Sequence, residues 1–576
     1  MSSPRQLLSN PLGRTLWHFR HEFVFVAGLS MLSNLLYLTP TLYMLQIYDR
    51  VLSSQNQLTL LVLSVIVLVF VGVMAFAEWI RSRMLIRVGM HFDQALSERI
   101  FRAGLQAELN KSAHNPEQAL SDLTNLRQFL TGGGTLAFFD APWTPIYIAV
   151  SFMLHPVLGW LSIFFVANLL LLAFLGQRRA AGFAEAAAKA EVAGNNFLSS
   201  KLRNSEVIEP MGMLGNLRRR WSAANQQHLC LQTQVQKVNE RTLSAIRFVR
   251  YSQQSLSLGA GALLAINGEI TVGAMIAANV LMSRASQPIE MLVISWKSFL
   301  SARSAFERLG SLLDAHPEAA AGQRTSSPTG HVRVEGLVAS VTGRQEPIIH
   351  KLDKEFAAGQ FTAIIGPSGS GKSTLAQALI GIWPATQGRV LLDDHPLQDW
   401  DRARLGQAIG YLPQDIQLFE GTVAENIARL GPVDSSRVID AATRAGLNDM
   451  ILRLPKGYDT PIGEAGCVLS GGQRQRFGLA RAIYGNPQLI ILDEPNANLD
   501  DLGENALLNC LNVLKNEGRT LFVITHRLNV LELADRVLLL DKGVVSADGS
   551  RESVLATLRA TTSPPPVHLV VTRIPT

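Results

Sequence analysis

Apolar residues follow two regimes along the chain. Between positions 22 and 295 they gather in six stretches, near 22–46, 58–80, 134–154, 157–176, 243–266 and 272–295. Each is close to the roughly 20 residues a helix needs to cross a bilayer. The second, LTLLVLSVIVLVFVGVMAFAEWI, is unbroken, whereas the third contains Pro142 and Pro145 and the fifth carries Arg247 and Arg250 in its first turns. The polar links 81–132 and 177–242 are themselves helical in pattern. In the first, Asn115 is placed as an N-cap, Pro116 and Glu117 open the first turn, and Leu120, Leu123, Leu126 and Leu130 recur at three- and four-residue steps. About 20 helical residues descending and 20 returning carry the chain roughly 30 Å beyond the bilayer. The same periodicity also fits two soluble helical hairpins packed on one another. Past the polar stretch AGQRTSSPTG (321–330), short apolar strands alternate with helices, as in an α/β domain.

Charge sets the orientation. The short links SSQNQ, HP and NGEITVG have no Lys or Arg, while the long links hold Arg81, Arg83, Arg87, Arg178, Arg179 and the run Arg218, Arg219, Arg220. The positive-inside bias therefore puts the long links and both termini in the cytoplasm, with the first stretch an anchor rather than a removable signal. The net charge of +6 does not advertise nucleic acid, because these cations flank apolar segments instead of forming one basic face. Cys230, Cys467 and Cys510 have no metal-binding spacing and fit a reduced compartment.

The α/β half carries the chemistry. In FTAIIGPSGSGKSTLAQALIGI an apolar strand runs into a glycine-rich loop and then a helix. Gly366, Ser368, Gly369, Ser370 and Gly371 let main-chain amides close on phosphates, Lys372 neutralises their charge, and Ser373, followed by Thr374, holds Mg²⁺. Further on, QLIILDEP ends a strand in two acids. Asp493 reaches the metal through water, and Glu494 faces an attacking water molecule. A second anion-facing element is VLSGGQRQR (468–476), where Ser470 caps a helix whose first residues are Gly471, Gly472 and Gln473. One chain thus offers two phosphate-facing elements.

Taken in order, the loop at 366–374, Gln414 in YLPQD, LSGGQ at 469–473, the Asp493–Glu494 pair, NANLD ending in Asp500, and His526 in ITHR resemble the Walker A, Q-loop, signature, Walker B, D-loop and H-loop of an ATP-binding cassette (ABC) transporter. TPIGEAG resembles the X-loop of ABC exporters. The resemblance implies a membrane all-α six-helix exporter domain with long cytoplasmic helical extensions, fused to an α/β P-loop ABC ATPase domain. The expected division is 1–21, a short N-terminal segment; 22–320, the transmembrane domain; 321–330, a linker; 331–560, the ATPase; and 561–576, a tail. It further implies a homodimer in which Ser470, Gly471 and Gly472 of one copy cap the γ-phosphate held by Lys372 of the other. Glu494 then polarises water, His526 contacts the γ-phosphate, and Gln414 senses Mg²⁺ and passes the state to the membrane helices. In place of the aromatic residue that usually stacks on adenine stands Val341, an aliphatic cover without a π-face, which implies weaker discrimination among nucleotides.

YMLQIYDRVL (43–52) and FFDAPWTPIYIAVSFMLHPVLG (138–159) resemble the ABC component of bacterial type I secretion systems. With about twenty residues before its first span, the chain resembles the short, PrtD-like branch lacking an N-terminal peptidase-like domain. This implies an inner-membrane exporter of an unfolded polypeptide with a C-terminal signal, working with a membrane-fusion adaptor and a TolC-like outer-membrane channel. Asp49, Arg50 and Asp140 stand near span ends, where they either meet the adaptor or cargo or simply anchor the interface. A lipid or small-molecule exporter of the same architecture would share every ATP residue. A nucleotide-gated channel or regulator is disfavoured by the intact Lys372, Glu494 and signature, and a soluble DNA-repair ATPase by the spans.

Overall fold

The computed structural model describes residues 11–110, 116–202, 205–317, 324–340, 346–383, 387–463, 469–554 and 556. They divide into two compact units, Met1–Leu105 with His114–Pro317, and Gln106–Ala113 with Glu318–Thr576.

The described residues of the first unit form helices and their turns. The first apolar stretch comprises α1 (Arg20–Leu36), α2 (Thr39–Gln46) and a wider π turn (Ile47–Val51). There follow α3 (Gln57–Leu109), α4 (Pro116–Thr131), α5 (Gly133–Asp140), α6 (Thr144–Leu154), α7 (Pro156–Leu202), α8 (Leu214–Ile266) and α9 (Val272–Ala315). Helices α3, α7, α8 and α9 contain 53, 47, 53 and 44 residues. At 1.5 Å per residue each is roughly 65–80 Å long, more than twice a hydrocarbon core. Spans and links are therefore single rods, and the links are continuations of spans rather than separate hairpins. Asn115 lies outside the described residues, while Pro116 opens α4 as its fixed φ favours.

Among the described residues, four segments, Arg20–Ser54, Gln57–Leu109, Gly133–Leu154 and Pro156–Asn195, are long and apolar enough to cross a membrane. The fifth and sixth predicted stretches form the end of α8 and the start of α9. They are more polar, and several of their polar groups are paired: Arg250 meets Glu290 at 3.4 Å, and Gln253 donates to Met282 O (2.7 Å) and accepts from Ser286 (2.9 Å). Such groups are tolerated at membrane depth where they face protein. Pro142 lies in a single 3₁₀ turn (Ala141–Trp143) between α5 and α6, and Pro145 in the first turn of α6, where its fixed φ is accommodated.

The second unit is built on a six-stranded sheet. Its strands are β3 (Phe361–Ile365), β6 (Ile409–Leu412), β9 (Leu489–Asp493), β10 (Thr520–Ile524), β11 (Arg536–Asp541) and β12 (Val544–Gly549), in the order β12-β11-β3-β10-β9-β6. All neighbours are parallel except β11 and β12. A four-stranded antiparallel sheet combines β1 (Val332–Ala339), β2 (Ile349–Phe356), β4 (Gln387–Leu392) and β5 (His395–Pro396); a third, two-stranded sheet pairs β7 (Gly421–Thr422) with β8 (Pro461–Ile462). Alternation along β9 divides the core. Leu489 and Ile491 join one apolar cluster, Ile490 and Leu492 the other, because successive side chains leave opposite faces of a strand. Helix α10 (Lys372–Leu379) packs in the first cluster and α11 (Gly471–Ile483) in the second. The two helices whose N-termini the sequence marks as anion-facing therefore lie on opposite faces of one sheet.

Candidate ATP site

The parallel strands bring the predicted chemistry to one edge. The loop at 366–371 leaves the end of β3, Asp493 ends β9, and Gln414 and His526 each follow the ends of β6 and β10 by two residues. Since β3, β10, β9 and β6 are consecutive in the sheet, these residues share its C-terminal edge, where open α/β sheets bind ligands.

The cradle needs its glycines. At Gly366 (φ +153°) an added Cβ would lie 2.0 Å from Leu540 O, a main-chain atom that cannot swing away. Lys372 opens α10, is buried, and donates to Gly366 O (2.8 Å) and Pro367 O (2.9 Å), which holds its ammonium against the loop. Burial lowers the pKa of that ammonium, with Glu494 and Asp493 opposing the shift. Ser370 is buried and its Oγ has no hydrogen-bond partner. Gly369 takes φ +79° and Gly371 φ +99°; Ser368, Ser373 and Thr374 complete the loop and first turn.

The acids differ in environment. Asp493 is buried, and burial raises its pKa despite a hydrogen bond from Ser373 and the nearby Lys372. Its Oδ1 has no hydrogen-bond partner. A buried, unpaired carboxylate oxygen beside a serine hydroxyl is the donor set a hard divalent cation takes, so these residues fit Mg²⁺. Glu494 holds φ +50°, a left-handed conformation costly for a side-chain-bearing residue. Its main chain is fastened by Glu494 N to Ile524 O (3.0 Å) and by Gln475 Nε2 to Glu494 O (3.0 Å). The carboxylate meets Gln414 Nε2 at 3.3 Å and His526 Nε2 at 3.8 Å. Glu494, Gln414 and His526 are thus gathered around one carboxylate.

The signature segment is a capped helix start. Ser470 Oγ accepts from Gln473 N (3.3 Å), and Gln473 Oε1 accepts from Ser470 N (2.9 Å), a reciprocal capping box. The Ser470 hydroxyl keeps its own proton to donate. Gly472 is required by close packing, since a Cβ there would fall 2.6 Å from Asn498 O. Asp500 caps a third helix, α12 (Asp501–Asn516), through Gly503 N at 2.8 Å. Val341 lies outside the described residues, as do Glu464 to Gly466 of the X-loop and Cys467.

Gln475 escaped the sequence reading. Its signal was a polar residue on the buried side of α11, where it holds Glu494 rather than facing solvent. In the first unit, the Asp49 carboxylate accepts from the Thr271 hydroxyl (2.6 Å) and Gly273 N (2.8 Å) at the start of α9. Arg50 lies beside it in the π turn. Asp140 accepts from Arg81 (2.9 Å) and Asn34 (2.7 Å).

Residues 349–497 match the family described as ABC transporter, and residues 23–289 the ABC transporter transmembrane region. The chain is 41% identical over 538 residues to the type I secretion system ATP-binding protein PrsD of Rhizobium meliloti, covering 93% of this chain and 92% of that protein. It is 29% identical to the cyclolysin secretion/processing ATP-binding protein CyaB of Bordetella pertussis, over 93% of this chain and 76% of CyaB. The leukotoxin export ATP-binding protein LtxB of Aggregatibacter actinomycetemcomitans is 27% identical, at 93% and 77% coverage. A solved bacterial Atm1-family ABC exporter with ATP bound superposes with a TM-score of 0.79 at 23% identity, over 95% of this chain and 99% of that one, and so shares the fold.

Proposed function

This chain belongs to the ABC transporters of type I secretion systems, and on that premise we propose that it works as a homodimer whose two ATP sites are each completed by both copies. It is a multi-pass inner-membrane protein that couples ATP hydrolysis to polypeptide export. One observation carries the shared site: α10 and α11 lie on opposite faces of one sheet, although each presents a phosphate-binding N-terminus. A helix start contributes about half a positive charge and free amides. The Ser470 end therefore suits the phosphate of a second copy, while Lys372 holds that of its own.

The loop from Gly366 to Thr374 receives the phosphates and Lys372 offsets their charge. Ser373 and Asp493, with Gln414, would hold Mg²⁺, which would supply charge neutralisation at the phosphates. Glu494 takes the proton of the attacking water. His526 orients the γ-phosphate, and Gln414, in contact with Glu494, reports the state of the site. Ser470, Gly471, Gly472 and Gln473 from the partner copy close it, with Asp500 fixing the adjacent helix start.

The cargo is an unfolded polypeptide read through its C-terminal segment, handed to an adaptor and an outer-membrane channel; both termini of the transporter are cytoplasmic. Support comes from the family of the relatives and from the arginines of the long links. The test presents purified transporter with C-terminal segments of secreted proteins, measures binding and ATPase change, and then scores secretion with adaptor and outer channel co-expressed. Segment-dependent stimulation and secretion are expected. Stimulation by lipid alone, with no polypeptide released, would refute protein export.

A further inference from the structure

Between the Q-loop strand and the signature helix stands a side chain to which the ATP motifs give no part. The segment GTVAENIARLGP forms a short helix (Val423–Ile427), after which Arg429 and Leu430 both take φ +58°. Two successive left-handed residues with side chains are disfavoured, each by about 1–2 kcal/mol. The turn they make sends the Arg429 guanidinium inward. There it donates from Nε to Arg481 O (2.9 Å), from Nη2 to Ala482 O (2.9 Å), and from Nη1 to Gly406 O (2.6 Å) and Ile409 O (3.0 Å).

These acceptors belong to three elements. Arg481 and Ala482 are in the last turn of α11, where carbonyls have no partner within the helix. Gly406 lies in the last turn of the helix Arg402–Ala408, and Ile409 begins β6, the strand that delivers Gln414. A cation at two helix C-termini is favoured by both dipoles, and a planar fork fixes direction as well as distance. Burial and the neighbouring Arg481 push the guanidinium down to about 10, so it stays charged at neutral pH. Arg481 is turned away, donating to Gln417 O (3.0 Å) with its cation over the Phe419 ring.

We infer that Arg429 is a positioning residue for ATP hydrolysis: it sets the angle between α11, whose far end is offered to the partner's nucleotide, and β6, which carries Gln414 to Glu494. This rests on the shared-site reading above. The cradle at 366–374 does not involve Arg429, so binding of the first nucleotide and closure of the site separate. A lysine at this place keeps the charge but not the fork and serves fewer of the four carbonyls.

The test compares Arg429→Lys and Arg429→Met in purified full-length transporter in lipid nanodiscs, measuring equilibrium binding of a fluorescent ATP analogue, kcat and KM for ATP, and thermal melting. For Arg429→Lys, binding matches wild type and melting falls by only a few degrees while kcat falls about tenfold; for Arg429→Met the loss of kcat approaches about a hundredfold, as for other misplacements of the order of an ångström. Wild-type kcat in both variants overturns the inference, as does a parallel fall in kcat, binding and melting. Ser470→Arg in the same assay separates the two claims. Normal turnover there refutes the shared site, whereas an inactive Ser470→Arg beside fully active Arg429→Lys and Arg429→Met refutes the positioning role alone.

Discussion

Gln414 and Glu494, eighty positions apart, touch at the edge of one sheet: the Gln414 amide donates to the Glu494 carboxylate at 3.3 Å. The same carboxylate has His526 Nε2 at 3.8 Å, while its main chain is held at φ +50°. In the proposed roles of Glu494 as base and of Gln414 and His526 as sensors, this strained carboxylate would act on one water and register what that water attacks. Glu494→Gln keeps the size and the contacts but removes the basic oxygen. Steady-state ATPase is expected to fall by about 10²–10⁴-fold, with ATP still bound and the dimer trapped closed. Near-normal turnover in the purified variant would contradict the assignment.

Gly472 sets how closely α11 can approach the D-loop. Gly472→Ala places a methyl 2.6 Å from Asn498 O, which cannot move without shifting the loop before Asp500. Overpacking of this kind costs roughly 1–3 kcal/mol. A lowered melting temperature of the ATPase unit together with reduced kcat is expected, whereas an unchanged protein would show the contact to be loose.

Arg81 is nearly enclosed in the first unit, with a side chain 7% exposed, and Asp140 is its carboxylate partner. Removing one member of a buried pair leaves an uncompensated charge, at a cost of about 3–5 kcal/mol. Asp140→Ala is therefore expected to melt well below wild type in detergent, and Arg81→Met/Asp140→Ala to recover part of the loss. A double variant no better than Asp140→Ala would place the stability elsewhere in the cluster with Asn34 and Ser30.

Asp493 links pH to stability with a definite sign. Burial raises its folded pKa above the usual carboxylate value, so the folded protein holds this proton more tightly than the unfolded chain. Stability falls as pH rises from the unfolded value through the folded one, and the full penalty is present only above the folded value. Asp493→Asn should thus raise the melting temperature of nucleotide-free transporter at pH 7, less so near pH 4, while abolishing Mg²⁺-dependent hydrolysis. Equal gains at both pH values would contradict the linkage.

Chemistry that needs particular residues within a few positions was legible in the sequence. The loop around Lys372, the acids ending β9 and the Ser470 cap each announce themselves locally, and the strand pattern puts the loop and the acids at one edge. Arg429 was not legible, because its partners are main-chain carbonyls of any sequence, assembled only by folding. Nor was the pairing of Arg81 with Asp140 or of Asp49 with Thr271, where polar groups distant in sequence meet across helices. The rod-like continuity of α3 and α8 was blurred for a different reason. Composition switches from apolar to charged along each rod while the backbone period does not change.

The central claim is that each ATP is gripped by two copies, and fused dimers of defined composition test it most directly. In the first fusion one half carries Lys372→Ala and the other Ser470→Arg; in the second, one half is wild type and the other carries both substitutions. A shared site concentrates both defects in one site of the first fusion and spoils both sites of the second. ATPase activity is therefore expected from the first fusion and not from the second. Activity from the second fusion alone would mean that each chain completes its own site, and would contradict the account.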